Sequence, residues 1–102
     1  MSGKKRVLVC SDNGLGSEIA RRLGEIAPVD RANPMAAERL PLKSYGVIVL
    51  NLQPARENQA SQFVTRAREK GVTCPIFTFR TCETEKGKDP FKSLVSLVQR
   101  RL

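Results

Sequence analysis

Three apolar runs in this 102-residue chain end in residues that can take part in chemistry. VLVC leads into Ser11-Asp12-Asn13, VIVL into Asn51, and IFTF into Arg80-Thr81. Short apolar runs bounded by turn residues read as strands buried on both faces. Open parallel sheets place their ligands and catalytic groups at the carboxyl ends of such strands. Asp12 brings a carboxylate there and Ser11 a hydroxyl. Asn51 brings a carboxamide, whose nitrogen lone pair is delocalised into the carbonyl, so it is neither an acid nor a nucleophile. The chain has no histidine. That removes the commonest general base and counts against hydrolytic or acyl-transfer chemistry.

The three cysteines show no repeated spacing, so no zinc site, other metal or cofactor is expected. Cys74 and Cys82 bracket the run PIFTF. In an extended segment their separation is roughly 26 Å, whereas a disulfide needs Cα atoms within about 7 Å. They cannot pair with each other, and an odd count suits reduced thiols. Cys10 lies inside an apolar run, where a cysteine acts as a small buried hydrophobe.

Alternating patterns along the chain supply the elements that position these residues. KRVLVCS (5–11) reads as a first strand. A helix over 15–26 follows, with Leu15, Ile19, Leu23 and Ile26 on one face and Glu18, Arg21, Arg22 and Glu25 on the other. APVDRA (27–32) reads as a short second strand. Asn33 before Pro34 is a helix start, and MAAERL makes about two turns before Pro41 stops them. A strand over 46–51 leads to a helix over 58–70 with Ala60, Phe63, Val64 and Ala67 inward and Gly71 as its cap. PIFTF (75–79) is another strand, with Phe77 and Phe79 on one face as core residues. Asp89 and Pro90 open a last helix with Phe91, Leu94, Val95, Val98 and Leu102 inward.

This alternation specifies one α/β domain over 1–102: three layers, a mainly parallel sheet of about four to five strands, and helices on both faces. The length supports a single modest core. No run approaches the roughly 18 apolar residues of a membrane helix. The apolar segment after the basic start is shorter than the about 7–15 residues of a signal-peptide core, so a cytoplasmic protein without membrane insertion is expected. A formal net charge of +8, from 18 basic and 10 acidic residues, favours acidic partners or simply maintains solubility.

The order of these segments resembles response-regulator receiver domains. KRVLVCSDN is similar to their first strand, which ends in a pair of metal-binding acids. YGVIVLNLQPA is similar to their third strand, which ends in the phospho-accepting aspartate and a turn proline. FVTRAREKGVTCPIFTFRT is similar to the third helix and fourth strand, and DPFKSLVSLVQRRL to the lysine-proline-phenylalanine turn and last helix. Together these matches cover most of the chain and imply a flavodoxin-like fold.

The departures from that family decide what the resemblance implies. Asp12 keeps one acid of the metal pair and Ser11 replaces the other. Asn51 stands at the acceptor position, Arg80 with Thr81 beside it at the switch hydroxyl, and Asp89 where the lysine belongs, with Lys88 one residue too early. One remaining carboxylate is a poor basis for Mg²⁺. Only nine residues separate Arg80 from Pro90, too few for the helix and fifth strand of a receiver. The resemblance thus implies a degenerate, non-catalytic pseudo-receiver of two-component type. It would bind a protein with an acidic surface, such as a histidine kinase, through Lys86, Lys88, Lys92, Arg100 and Arg101. Asn51 either fills the old acceptor seat or only satisfies turn amides.

Three other expectations stand beside this one. CSDNGLGS is similar to the loop of phosphotransferase-system IIB components, which implies a phosphocysteine carrier using Cys10. Asp12 opposes that reading, since a nearby carboxylate raises the thiol pKa and repels phosphate. Basic groups at Lys4, Lys5 and Arg6, at Arg66, Arg68 and Lys70, and on the last helix fit nucleic acid, although aromatics for base stacking are sparse. A homodimer is also open.

Overall fold

Val7 to Cys10 and Val47 to Leu50 are completely buried, so the two apolar runs with the chemical residues at their ends form the centre of the fold. A computed structural model describes residues 6–12, 14–52, 57–78 and 90–101, without the side chains of Leu15, Glu57, Pro90 and Phe91. Its elements in chain order are β1 (Arg6–Ser11), α1 (Leu15–Leu23), β2 (Val29–Ala32), α2 (Pro34–Ala37), β3 (Tyr45–Asn51), α3 (Glu57–Glu69), β4 (Ile76–Thr78) and α4 (Pro90–Arg101). A single 3₁₀ turn, Leu42–Ser44, precedes β3. All pairings are parallel, in the order β2-β1-β3-β4.

Side chains alternate between the two faces of a strand, and two separate cores result. Leu8, Cys10, Ile48 and Leu50 pack with Ala37 of α2 and with Ala60, Phe63 and Ala67 of α3. Val7, Val9, Val47 and Val49 pack with Ile19 and Leu23 of α1 and with Leu94 and Val98 of α4. Removing one such side chain, as in Leu50→Ala, costs about 2–5 kcal/mol because the packed surroundings cannot close the gap. Phe77 reaches the second core only in part, since β4 is the last strand described on its side of the sheet.

Tyr45 breaks the alternation for an identifiable reason. The β1/β3 register shifts between Arg6 and Val7, pairing Arg6 with Tyr45 and Val7 with Val47. Gly46 is thus an extra residue, and a bulge of this kind turns the side chain before it to the other face. Tyr45 therefore joins the core of Leu8 and Ile48. Its hydroxyl donates to Asp30 Oδ2 at 2.7 Å, while Arg6 donates to both oxygens of the same carboxylate at 2.6 and 3.2 Å. One group from each of β1, β2 and β3 is tied at the amino edge. Burial, and then the Asp30 bond, pushes the Tyr45 hydroxyl up to about 12.

Several boundaries differ from the sequence reading. α1 ends at Leu23, three residues early: the N–H groups of Ile26 and Ala27 both bond the Leu23 carbonyl, folding the chain so that Ile26 reaches the core. α2 has one turn instead of two, because Arg39 and Leu40 bond back to Ala36 and Ala37 in i→i+3 fashion before Pro41. Its start holds, with Asn33 accepting the Ala36 N–H at 2.7 Å. α3 closes as expected: Gly71 takes φ +89°, a conformation in which a Cβ is strained. The sheet has four strands among the described residues. Phe79 lies outside them.

The Arg6 and Tyr45 hydrogen bonds hold the Asp30 carboxyl below its ordinary range. A depressed folded pKa contributes stability above the unfolded value of about 3.9, and that contribution is lost as pH falls through the folded value. Asp30→Asn is therefore expected to lower the melting temperature at pH 7. The difference from wild type should close below about pH 4, as thermal unfolding followed by circular dichroism across pH will measure.

Candidate functional site

Chain order and strand order diverge between β1 and β3, since β2 lies on one side of β1 and β3 and β4 on the other. The carboxyl edge at such a switch point is the natural crevice of an open α/β sheet. Ser11 and Asn51, the last residues of β1 and β3, are register partners there. The Ser11 hydroxyl donates to Asn51 Oδ1 at 3.0 Å, and the Asp12 N–H reaches the Asn51 carbonyl at 3.4 Å. Ser11, with Asp12 beside it, is thus a neighbour of Asn51, 40 positions further along the chain.

Asn51 is 2% exposed and the one buried polar residue of the described structure. Every buried side-chain nitrogen and oxygen among the described residues has a hydrogen-bond partner, which is what a polar group in a dry interior requires. A carboxamide meets that requirement without bringing charge into the core. The first helical turn presses onto the same spot. A Cβ built on Gly16 would lie 2.6 Å from the Ser11 Cβ and 2.8 Å from its Oγ, so Gly16 lets α1 start directly over the Ser11–Asn51 pair.

The chemistry available at this edge follows from the groups present. Asn51 cannot form an acyl phosphate. Asp12 is the single carboxylate contributed by Ser11, Asp12 and Asn51, so the donor set does not fit a resident Mg²⁺, which relies on carboxylates and phosphates. Among the described residues no group of three or more His, Cys, Asp or Glu is gathered. Arg80, Thr81 and Asp89 lie outside the described residues, as do Lys86, Lys88, Lys4 and Lys5.

Cys10 is completely buried among Leu8, Leu50 and their neighbours. Its thiol is pushed up to about 12, by burial first and by the Asp12 and Glu38 carboxylates second. A neutral, enclosed thiol is a poor nucleophile. Asp12 opposes ionisation as its sequence position implies, but desolvation is the larger cause. Cys74 is half-buried and also raised, and both it and Cys10 are free thiols.

The remaining basic residues divide into two groups. Arg66 pairs with Glu38 at 2.6 Å, Arg68 donates to the Val72 and Cys74 carbonyls, and Lys70 donates to the Glu38 carbonyl. That cluster ties α3 to its surroundings while its three side chains remain exposed. Lys92, Arg100 and Arg101 are exposed on the outer face of α4. Sequence reasoning missed two features: the Arg6–Asp30–Tyr45 tie, and a cleft lined by Arg31 and Asn33 beside Ser11. Period-two counting along VDRA places Arg31 on the face of Val29, and only strand pairing brings that face beside Val9.

No protein-family model matches the chain, and no curated protein does. Among the described residues no helix is long and apolar enough to cross a membrane.

The contact between Gly16 and Ser11 gives a direct test of the site's geometry. Gly16→Ala is expected to destabilise the fold by about 1–3 kcal/mol through overpacking. Removing the opposing side chain in Ser11→Gly should recover part of that loss. A double-mutant cycle by urea unfolding measures the coupling, and additive effects would show that the two residues do not touch.

Proposed function

We propose that this chain is a non-catalytic signalling domain of receiver-like design, a pseudo-receiver that acts by binding an acidic protein partner such as a histidine kinase. The observation that carries the reading is the outer face of α4. Along Pro90–Arg101 the helix holds Lys92, Arg100 and Arg101 and no acidic residue, and Leu97 between them is 45% exposed. An apolar anchor with these cations around it complements an acidic segment carrying one apolar side chain, since charge complementarity sets orientation and encounter rate. In receivers, to which the chain is similar, the neighbouring region forms the output face, and here the link before the helix is short.

Asn51 supports the same reading from the opposite side. A domain with an amide in the acceptor seat has recognition left to it, and the buried Cys10 thiol lends no support to a phosphocysteine carrier. The four parallel strands in the order β2-β1-β3-β4 are compatible with a flavodoxin-like scaffold.

Two experiments test the proposal. The combined variant Lys92→Glu, Arg100→Glu and Arg101→Glu is expected to lose, by about tenfold or more, capture of acidic partners from native extract at 0.15 M salt. An unchanged partner set would remove α4 as the docking face. Incubation with acetyl phosphate and Mg²⁺ is expected to leave the intact mass unchanged. A labile adduct on Asp12 would overturn the non-catalytic reading.

A further inference from the structure

The face of the sheet opposite α4 carries a second cationic surface, where α3 lies beside α2 and the 3₁₀ turn. Gln59, Gln62, Arg66 and Lys70 are all exposed there. Their spacing of three, then four, then four residues sets them in one line along α3, about 16 Å long at 1.5 Å per residue. Ala60, Phe63 and Ala67 turn inward, and Gln59, Gln62 and Arg66 border the groove against Pro34 and Met35. The line therefore marks the flank of α3 that faces α2. It holds amides and cations and no carboxylate.

Two further cations join it from other elements. Arg66 holds the Glu38 carboxylate at 2.6 Å and Lys70 donates to the Glu38 carbonyl at 3.2 Å, which places Arg39 one residue from that contact. Lys43 lies over the end of α3, since a Cβ built on Gly71 would come within 3.1 Å of its Nζ. Arg39 and Lys43 are exposed and make no ion pair among the described residues. Glu69 is turned from Lys70 by about 100° around the helix. Four cations thus gather about one carboxylate, that of Glu38. The α3 dipole accounts for basic residues in its own last turn, but not for Arg39 and Lys43. Cations held together repel one another, and a bound polyanion relieves that repulsion.

We infer that this flank of α3, with Arg39 and Lys43 beside it, binds the phosphate backbone of duplex DNA without reading its sequence. Arginine, lysine and glutamine are side chains that contact phosphate and sugar oxygens. Arg66 and Lys70 keep donors for this, because each spends only one of its nitrogens or hydrogens on Glu38. A line of donors suits a line of phosphates better than a single anion. An acidic protein would need an apolar centre to its interface, and the line offers none; Met35, 79% exposed, stands at its rim on the first turn of α2. Single strands are held by stacking bases on aromatic rings, and none is found along this flank.

The test is fluorescence anisotropy with a labelled DNA duplex of mixed sequence, titrated at several NaCl concentrations. Saturable binding is expected, with log K falling against log[NaCl] at a slope of roughly −3 to −4 for four neutralised phosphates. The double variant Arg39→Gln and Lys43→Gln, which breaks no tie between elements, should weaken binding about tenfold or more and reduce the slope by about 2. Gln59→Glu with Gln62→Glu is the second variant. It keeps helix propensity, places two carboxylates on the line and should also weaken binding. Lys92→Gln, Arg100→Gln and Arg101→Gln on α4 should change the affinity less than either, so this surface stands or falls separately from the α4 face. Absence of saturable binding, full affinity in the first two variants, or a larger loss from the α4 variant would overturn the assignment. Equal competition by poly-L-glutamate would overturn the choice of a nucleic acid, and tighter binding of an RNA duplex or a single strand the choice of duplex DNA.

Discussion

Complete burial of β1 and β3 on both faces is the constraint from which the rest of this structure follows. A strand with no solvent face has no place for an unsatisfied polar side chain, since each would cost on the order of 1–3 kcal/mol. Polar chemistry is therefore expelled to the points where these strands leave the core. Ser11 and Asn51 are the first such points on the carboxyl side, and Arg6 and Tyr45 are their counterparts on the amino side. The same burial keeps Cys10 neutral. Where a residue can act chemically here is decided by how far it sits from the middle of two strands.

The two edges of the sheet use their polar residues differently. At the amino edge Arg6, Asp30 and Tyr45 consume one another's hydrogen bonds and join three strands. Surface ion pairs alone contribute little, but the Tyr45 ring is buried, so the tie is fixed to the core by packing. At the carboxyl edge Ser11 and Asn51 are joined in the interior, while Arg31 and Asn33 face outward into a cleft. One edge fastens the sheet. The other joins the ends of its two central strands through Ser11 and Asn51.

Much of the architecture was legible in the residue pattern. Four-residue apolar runs gave the central strands, because only a doubly covered strand tolerates such a run. The 3.6-residue spacing of Ala60, Phe63 and Ala67 identified α3, and the Asn33-Pro34 pair identified the start of α2. The ends of α1 and α2 were not legible. Both close through i→i+3 backbone bonds, and the one local signal, Gly24 at the end of α1, is masked in the pattern because Ile26 continues the apolar spacing beyond it. Tyr45 could not be assigned by period-two counting either, since a bulge is a property of two strands in register. Arg66, Arg68 and Lys70 look like an open basic patch in sequence and become tertiary ties once Glu38, Val72 and Cys74 come near.

The sequence by itself determined which apolar runs and helix faces are buried and what kind of element each segment forms, because periodicity is a local statement about hydrophobicity. It also determined the chemical character of residue 51, since an amide remains an amide in any fold. Tertiary structure alone decided that Ser11, Asp12 and Asn51 share one place, that Gly16 closes over them, and that Arg31 and Asn33 open beside them. Those neighbours come from three strands and the helices that follow two of them. Their meeting depends on strand order and register, which parallel pairing sets across crossovers that no short window of sequence spans.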